Sequence, residues 1–178
     1  MTRTILHLDL DAFFCAVEEL HNPALHGKPF AVGGRPEERG VVASCSYAAR
    51  AFGVHSAMPM SQALRLCPQL IIVNHRRGAY EEMSGKVMTR LRSLAPLVEQ
   101  ISIDEAFVDI SDLCMDSNVS RRLALESQKP YEPEREIASQ LQKQIWDELR
   151  LPCSVGVASN KLVAKIATDV GKKAARGS

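Results

Sequence analysis

Two stretches decide the fold: Ile5-Leu6-His7-Leu8-Asp9-Leu10-Asp11, and Val98-Glu99-Gln100-Ile101-Ser102-Ile103-Asp104-Glu105-Ala106-Phe107-Val108-Asp109-Ile110. Each reads as a buried β-strand with carboxylates in it or at its end. A lone buried carboxylate is costly, so such groups are paired, hydrogen-bonded or bound to a cation. Two of these strands side by side bring Asp9, Asp104 and Glu105 together. Three converging carboxylates repel one another unless a divalent ion sits among them, and an all-oxygen donor set suits Mg²⁺ or Mn²⁺ rather than zinc. Other acids have plainer uses. Asp11 precedes a run in which Phe13, Val17 and Leu20 recur at helical spacing, and it reads as that helix's cap. Asp109 alternates with Phe107 and reads as scaffold. His7 shares a strand face with Asp9 and reads as structural; His21, His26, His55 and His75 show no ligand spacing.

Outward from these strands, residues 3–10 predict a strand and 12–20 a helix. A hairpin over 29–45 follows, then short helices at 46–52 and 60–66 and a strand at 70–73. Residues 77–93 predict a long helix with Tyr80, Val87, Met88 and Leu91 available for packing. Strands at 97–103 and 106–110 form a hairpin around Asp104-Glu105. Residues 111–133 read as a polar loop, 134–149 as an amphipathic helix through Ile137, Leu141, Ile145 and Leu149, 153–158 as a strand and 160–170 as the last helix. The order implies an α+β fold: a sheet from residues 3–10 and 97–158, backed by helices 77–93 and 134–149, with a small lobe inserted at about 22–75.

The chain has 178 residues and a net charge of +1, ordinary for a soluble globular domain. No apolar run reaches the length of a membrane span, and the N-terminus enters a strand without a signal peptide. The five cysteines are scattered with no Cys-x-x-Cys pair, which fits reduced core thiols in the cytoplasm and excludes a zinc site. The low net charge argues against strong nucleic-acid binding by this chain alone. From Asn160 to Ser178, however, five bases (Lys161, Lys165, Lys172, Lys173, Arg176) face one acid, Asp169. That segment reads as a solvated helix with a frayed end, or as a surface for phosphates.

These residues resemble the Y-family, or translesion, DNA polymerases of the DNA polymerase IV branch. The matching blocks are His7 to Glu18, Ser46 to Val54, Ala57-Met58-Pro59-Met60, Ser102 to Ala106 with Asp109-Ile110, and Gly156 to Lys161 with Ala164 to Ala167, all in family order. The resemblance implies a polymerase palm of mixed or antiparallel sheet backed by helices (1–21 and 76–168) and a small inserted fingers lobe (22–75). Residues 169–178 would start a linker to a thumb that, with the little finger, is missing, leaving a catalytic-core fragment.

The implied activity is template-directed addition of deoxynucleotides to a primer 3′-end in DNA repair and damage bypass, by phosphoryl transfer with two Mg²⁺ ions, Mn²⁺ serving as an alternative. Asp9 and Asp104 would bridge the ions, Glu105 would hold the one nearer the primer, and the Leu10 carbonyl is a further ligand. Unbonded amides at the first helix's start suit a triphosphate, which makes Ala12, Phe13 and Phe14 nucleotide-binding candidates. Tyr47 and Arg50 lie three apart on one helix and so reach one ligand; by resemblance they clamp phosphates. Lys172 matches the family's phosphate-contacting lysine, although the usual Lys-Pro is here Lys172-Lys173. Phe14 lies roughly 100° off the Phe13/Val17/Leu20 stripe. By resemblance it is the steric gate that excludes a ribose 2′-hydroxyl.

The implied partners are primer–template DNA, held weakly and in a salt-sensitive way without thumb and little finger, and a deoxynucleoside triphosphate. No membrane is expected. A monomer is, and the parent enzyme would bind a sliding clamp through the absent C-terminal part. The alternatives are a palm-fold nucleotide cyclase, sharing the two-metal chemistry but not the Tyr47/Arg50 block, and an inactive interaction module.

Overall fold

The computed structural model describes residues 3–115 and 132–175. Most expected elements form. They are β1 (Ile5–Leu10), α1 (Phe13–His21), β2 (Phe30–Gly33), β3 (Val42–Cys45), α2 (Tyr47–Arg50), α3 (Met60–Leu66), β4 (Ile71–Val73), α4 (Arg77–Leu94), β5 (Val98–Gln100), β6 (Glu105–Asp109), α5 (Ser111–Met115), α6 (Pro133–Leu149), β7 (Cys153–Ala158) and α7 (Lys161–Ala175). Mixed helices and largely antiparallel sheets make this an α+β chain.

Two compact units emerge: residues 1–10 with 84–178, and residues 11–83. The boundary after Leu10 places α1 in the second unit, whereas the expected lobes divided the chain after His21. The first unit holds a four-stranded sheet in the order β5-β6-β1-β7. β1 is central and antiparallel to both neighbours. Registered partners share a face. Ile5, His7 and Asp9 therefore lie on one side with Asp109, Phe107 and Glu105 of β6 and with Ala158, Gly156 and Ser154 of β7. Leu6, Leu8 and Leu10 point the other way and are almost wholly buried. α6 packs on β7 and buries Ile137, Leu141 and Ile145, the expected stripe. Val87, Met88 and Leu91 of α4 are also buried, as their spacing implies.

The side of the sheet that carries Asp9 is covered by α7, which packs on β7 and β1. Ile5, Phe107 and Ala164 form a small apolar cluster there. Close approach depends on Gly156. A Cβ at that position would lie 2.3 Å from the Ala164 carbonyl oxygen and 2.5 Å from the Thr168 amide nitrogen, both backbone atoms of α7.

The second unit has a three-stranded sheet, β3-β2-β4, in which β2 pairs antiparallel with β3 and parallel with β4. Its core gathers Ala31, Val42, Cys45, Ala49, Met60 and Ala63 with their neighbours. Cys15 is buried as well, and burial pushes its thiol up to about 12 despite a hydrogen bond to Ser44. No helix among the described residues is long and apolar enough to cross a membrane.

Several sequence expectations need correction. Residues 101–104 are a turn rather than strand: the Ile101 and Ser102 amides both donate to the Glu105 carbonyl, closing the chain tightly before β6. Asp11 does not cap α1. The cap position falls on Ala12, in the left-handed region at φ 46°, and no side chain caps the helix. Leu20 is 41% exposed; Glu18 instead completes the inner face of α1 with Phe13, Cys15 and Val17. The last helix runs to Ala175, beyond the expected end at residue 170. Of the expected loop 111–133, α5 occupies the start, α6 begins at Pro133, and 116–131 lies outside the described residues.

Asp109 bears out a scaffold role. Its Oδ1 accepts from the Ser111 hydroxyl (2.6 Å) and amide (3.1 Å), and its Oδ2 from Arg3 Nε (3.0 Å). The Ser111 hydroxyl bond, outweighing partial burial, with the amide bond and Arg3 holds this carboxyl below the usual aspartate range.

Two outcomes are expected. Gly156→Ala loses about 3 kcal/mol of stability in urea unfolding, because the obstructing atoms are backbone and yield only by moving α7. Asp109→Ala loses about 1–2 kcal/mol at pH 7. The folded-state pKa is lowered, so the carboxylate's contribution is complete above the ordinary aspartate value of about 3.9. It fades as pH falls through the lower folded value, and unfolding titrations of the two proteins should converge there.

Candidate active site

The two decisive stretches meet at one end of the first unit's sheet. Asp9 of β1 is registered directly opposite Glu105 of β6. The Leu10 amide donates to the Asp104 carbonyl at 2.9 Å, which ties the turn carrying Asp104 to the end of β1. All three expected carboxylates therefore come from adjoining backbone. Asp104 Oδ1 accepts from the Ser102 hydroxyl at 2.6 Å, a contact made within the 101–104 turn.

Like charges opposite one another on neighbouring strands are destabilising. α7 supplies the balance. Lys161, Lys165, Thr168 and Lys172 follow at intervals of four, three and four and so share one helix face. Lys172 Nζ lies 2.5 Å from Asp9 Oδ1, with its side chain 13% exposed. Lys165 pairs with Glu105 and Lys161 with Glu99. The tail read as a solvated helix or a phosphate surface is thus the counter-charge of the acidic sheet end. The missed signal was legible: three lysines on one helical face, opposite three acids on strands.

His7 is fully buried. Its Nε2 lies 2.7 Å from Glu105 Oε1 and its Nδ1 2.8 Å from the Thr168 hydroxyl. Partial burial pushes Glu105 upward, but the hydrogen bonds from Lys165 and His7 and their charge prevail and hold it below the usual glutamate range.

The donor chemistry fits a hard divalent cation: carboxylates and backbone carbonyls at one end of a sheet, with lysine ammonium groups on two of the carboxylates. Among the described residues no three His, Cys, Asp or Glu side chains stand arranged around a common point. The backbone segments that carry the three carboxylates adjoin, and ammonium groups meet two of the carboxylates as they stand.

The expected nucleotide-binding residues other than Lys172 belong to the second unit. α1 starts at Phe13 after the left-handed Ala12, and its first helical bond runs from the Ala16 amide to the Ala12 carbonyl. Phe14 is half-buried and stacks on Tyr80, with ring centroids 4.4 Å apart at 23°, while His75 meets it edge-on at 5.9 Å. The Tyr80 hydroxyl donates to the buried Glu18 at 2.7 Å, and Arg76 Nε lies 3.1 Å from the other Glu18 oxygen. Tyr80, expected only as packing, therefore forms the platform behind Phe14. In α2 the Arg50 guanidinium lies 5.0 Å from the Tyr47 ring centroid, so the two side chains do converge. Arg50 Nε donates to the Cys45 carbonyl, a bond that does not spend the fork's terminal nitrogens. Ser46 caps this short helix by accepting from the Ala49 amide.

Comparison with known proteins places the chain. A model of the impB/mucB/samB family matches residues 8–169. The chain belongs to that family. It is 42% identical over 170 residues to the DNA polymerase IV of Ralstonia nicotianae, a match covering 96% of this chain and 44% of that protein. Among solved structures it is similar to DinB from Sulfolobus solfataricus, with a TM-score of 0.78 and 34% identity over 93% of this chain and 45% of that one. A Y-family DNA polymerase chimera gives the same TM-score at 33% identity, with the same coverage. The Y-family resemblance is borne out, and the chain spans less than half the length of these relatives.

Proposed function

We propose that this chain is the palm and fingers portion of a template-directed translesion DNA polymerase, adding deoxynucleotides to a primer 3′-end. The observation that carries this reading is the register of Asp9 against Glu105, with Asp104 tied to Leu10 beside them. Relatives that bear the name DNA polymerase IV support it. On this reading the first unit is the palm and the second contains the fingers. Asp9, Asp104, Glu105 and the Leu10 carbonyl hold Mg²⁺ or Mn²⁺. Bound there, divalent ions supply charge neutralisation at the phosphates and a more acidic attacking hydroxyl.

This chain's own groups do the rest. The primer 3′-oxygen forms a bond to the α-phosphorus as the bond to the bridging oxygen breaks, and pyrophosphate leaves with that electron pair. Such a reaction depends mainly on positioning and charge. The amides of Ala12, Phe13 and Phe14, with Tyr47 and Arg50 of the same unit, hold the triphosphate. The left-handed turn at Ala12 aims the amides that begin α1, where a helix favours an anion. The Phe14 ring, held flat by Tyr80, excludes a 2′-hydroxyl as a steric gate. The partners are primer–template DNA and a deoxynucleoside triphosphate, and the parent enzyme's sliding clamp is engaged outside this chain.

Two measurements test this. In a primer-extension assay with Mg²⁺, the longer protein containing these residues extends a primer, and Asp104→Asn lowers the rate at least about 10³-fold, as loss of a major charge-stabilising group does. Unchanged extension by Asp104→Asn refutes the assignment. In the same protein Phe14→Ala raises ribonucleotide incorporation at least about tenfold relative to deoxynucleotide, whereas unchanged sugar selectivity removes the gate.

A further inference from the structure

Glu105 is more tightly held than a carboxylate left to find a ligand by itself. Oε1 receives both His7 Nε2, at 2.7 Å, and the Lys165 ammonium. A carboxylate oxygen only accepts, so Nε2 is the ring nitrogen that carries the proton and donates. The opposite nitrogen, Nδ1, faces the Thr168 hydroxyl. Thr168 Oγ1 lies 2.8 Å from it, against 3.1 Å to the Ala164 carbonyl and 3.3 Å to the His7 carbonyl. Thr168 thereby anchors one side of the ring while Nε2, on the other, meets Glu105.

The arrangement is built rather than incidental. His7 and Thr168 are both fully buried. The imidazole packs on Phe107, with ring centroids 4.7 Å apart, so it cannot swing freely. Gly156 is the residue registered opposite His7 on β7, and a Cβ there would lie 2.6 Å from Thr168 Oγ1. The hydroxyl reaches the ring because that side chain is missing.

We propose that His7, oriented by Thr168, is a positioning residue for Glu105: it fixes Oε1 so that Oε2 is the oxygen presented to a divalent ion. This rests on Glu105 being a metal ligand, as argued above. Hydrogen-bond partners of metal-binding carboxylates orient the ligand and typically contribute 10–100-fold to affinity or activity. The reaction proposed above makes no demand on an imidazole as a base.

The test uses the 178-residue chain and Mn²⁺ alone, with affinity read by electron paramagnetic resonance and the fold checked by urea unfolding. His7→Phe keeps an aromatic ring against Phe107 and removes the donor; it should weaken Mn²⁺ binding roughly 10–100-fold. Thr168→Val keeps the shape and removes the hydroxyl, and should weaken binding several-fold, while Thr168→Ser restores it. A second readout needs no metal: the Glu105 carboxyl carbon resonance should shift in His7→Phe and Thr168→Val but not in Thr168→Ser. Asp9→Asn is the control for the site. If it abolishes Mn²⁺ binding while His7→Phe and Thr168→Val bind as the parent does, the positioning role is wrong and the metal reading stands. If the parent chain binds no Mn²⁺, or Asp9→Asn leaves its affinity unchanged, both readings fall.

Discussion

The structure is organised around the electrostatic cost of setting Asp9 opposite Glu105 at the end of a sheet, with Asp104 alongside. Two strands that place acids face to face pay in repulsion, and the return must come from a third element. It comes from α7, whose Lys165 and Lys172 meet Glu105 and Asp9. That helix can lie close enough only because Gly156 leaves its backbone room. A glycine in the last strand and lysines about one and three turns along the next helix are therefore parts of one device. Its product is a concentrated, internally balanced group of charges.

The second unit solves a different problem. A half-exposed aromatic ring has little to hold it in one orientation. Phe14 is held because Tyr80 lies flat behind it, and Tyr80 is fixed because Glu18 accepts its hydroxyl. Glu18 is almost wholly buried, and Arg76 supplies its counter-charge. Burial together with the adjacent carboxylate pushes the Tyr80 phenol far above its ordinary range, so it remains a donor throughout the physiological span.

Much of this was legible in the sequence, and the reasons differ from residue to residue. Strand alternation put Leu6 and Leu8 on one face and Asp9 on the other, and pattern alone implied that the segments carrying Asp9, Asp104 and Glu105 lie side by side. Four-residue spacing predicted the buried stripe of α6. Local chemistry failed where tertiary geometry overrode it: Asp11 has the composition of a cap, but the chain turns through a left-handed Ala12 first. Ile101 to Asp104 have strand-like composition and are bent into a turn by the bonds to Glu105. The lysine pairs were missed because charge runs near a terminus usually meet water. The partnership of His7 with Thr168 spans nearly the whole chain, and no local pattern reveals it.

The central place of β1 also governs when the fold can be completed. Its partners, β6 and β7, lie about a hundred and a hundred and fifty residues downstream. A ribosome adds 5–20 residues per second, so this apolar strand waits about 5–20 s before its first neighbour exists. The intervening unit, residues 11–83, is continuous in the chain and needs nothing made later for its own sheet. Assembly during synthesis therefore completes the unit of residues 11–83 first, and β1, made before it, is enclosed only after β6 and β7 follow.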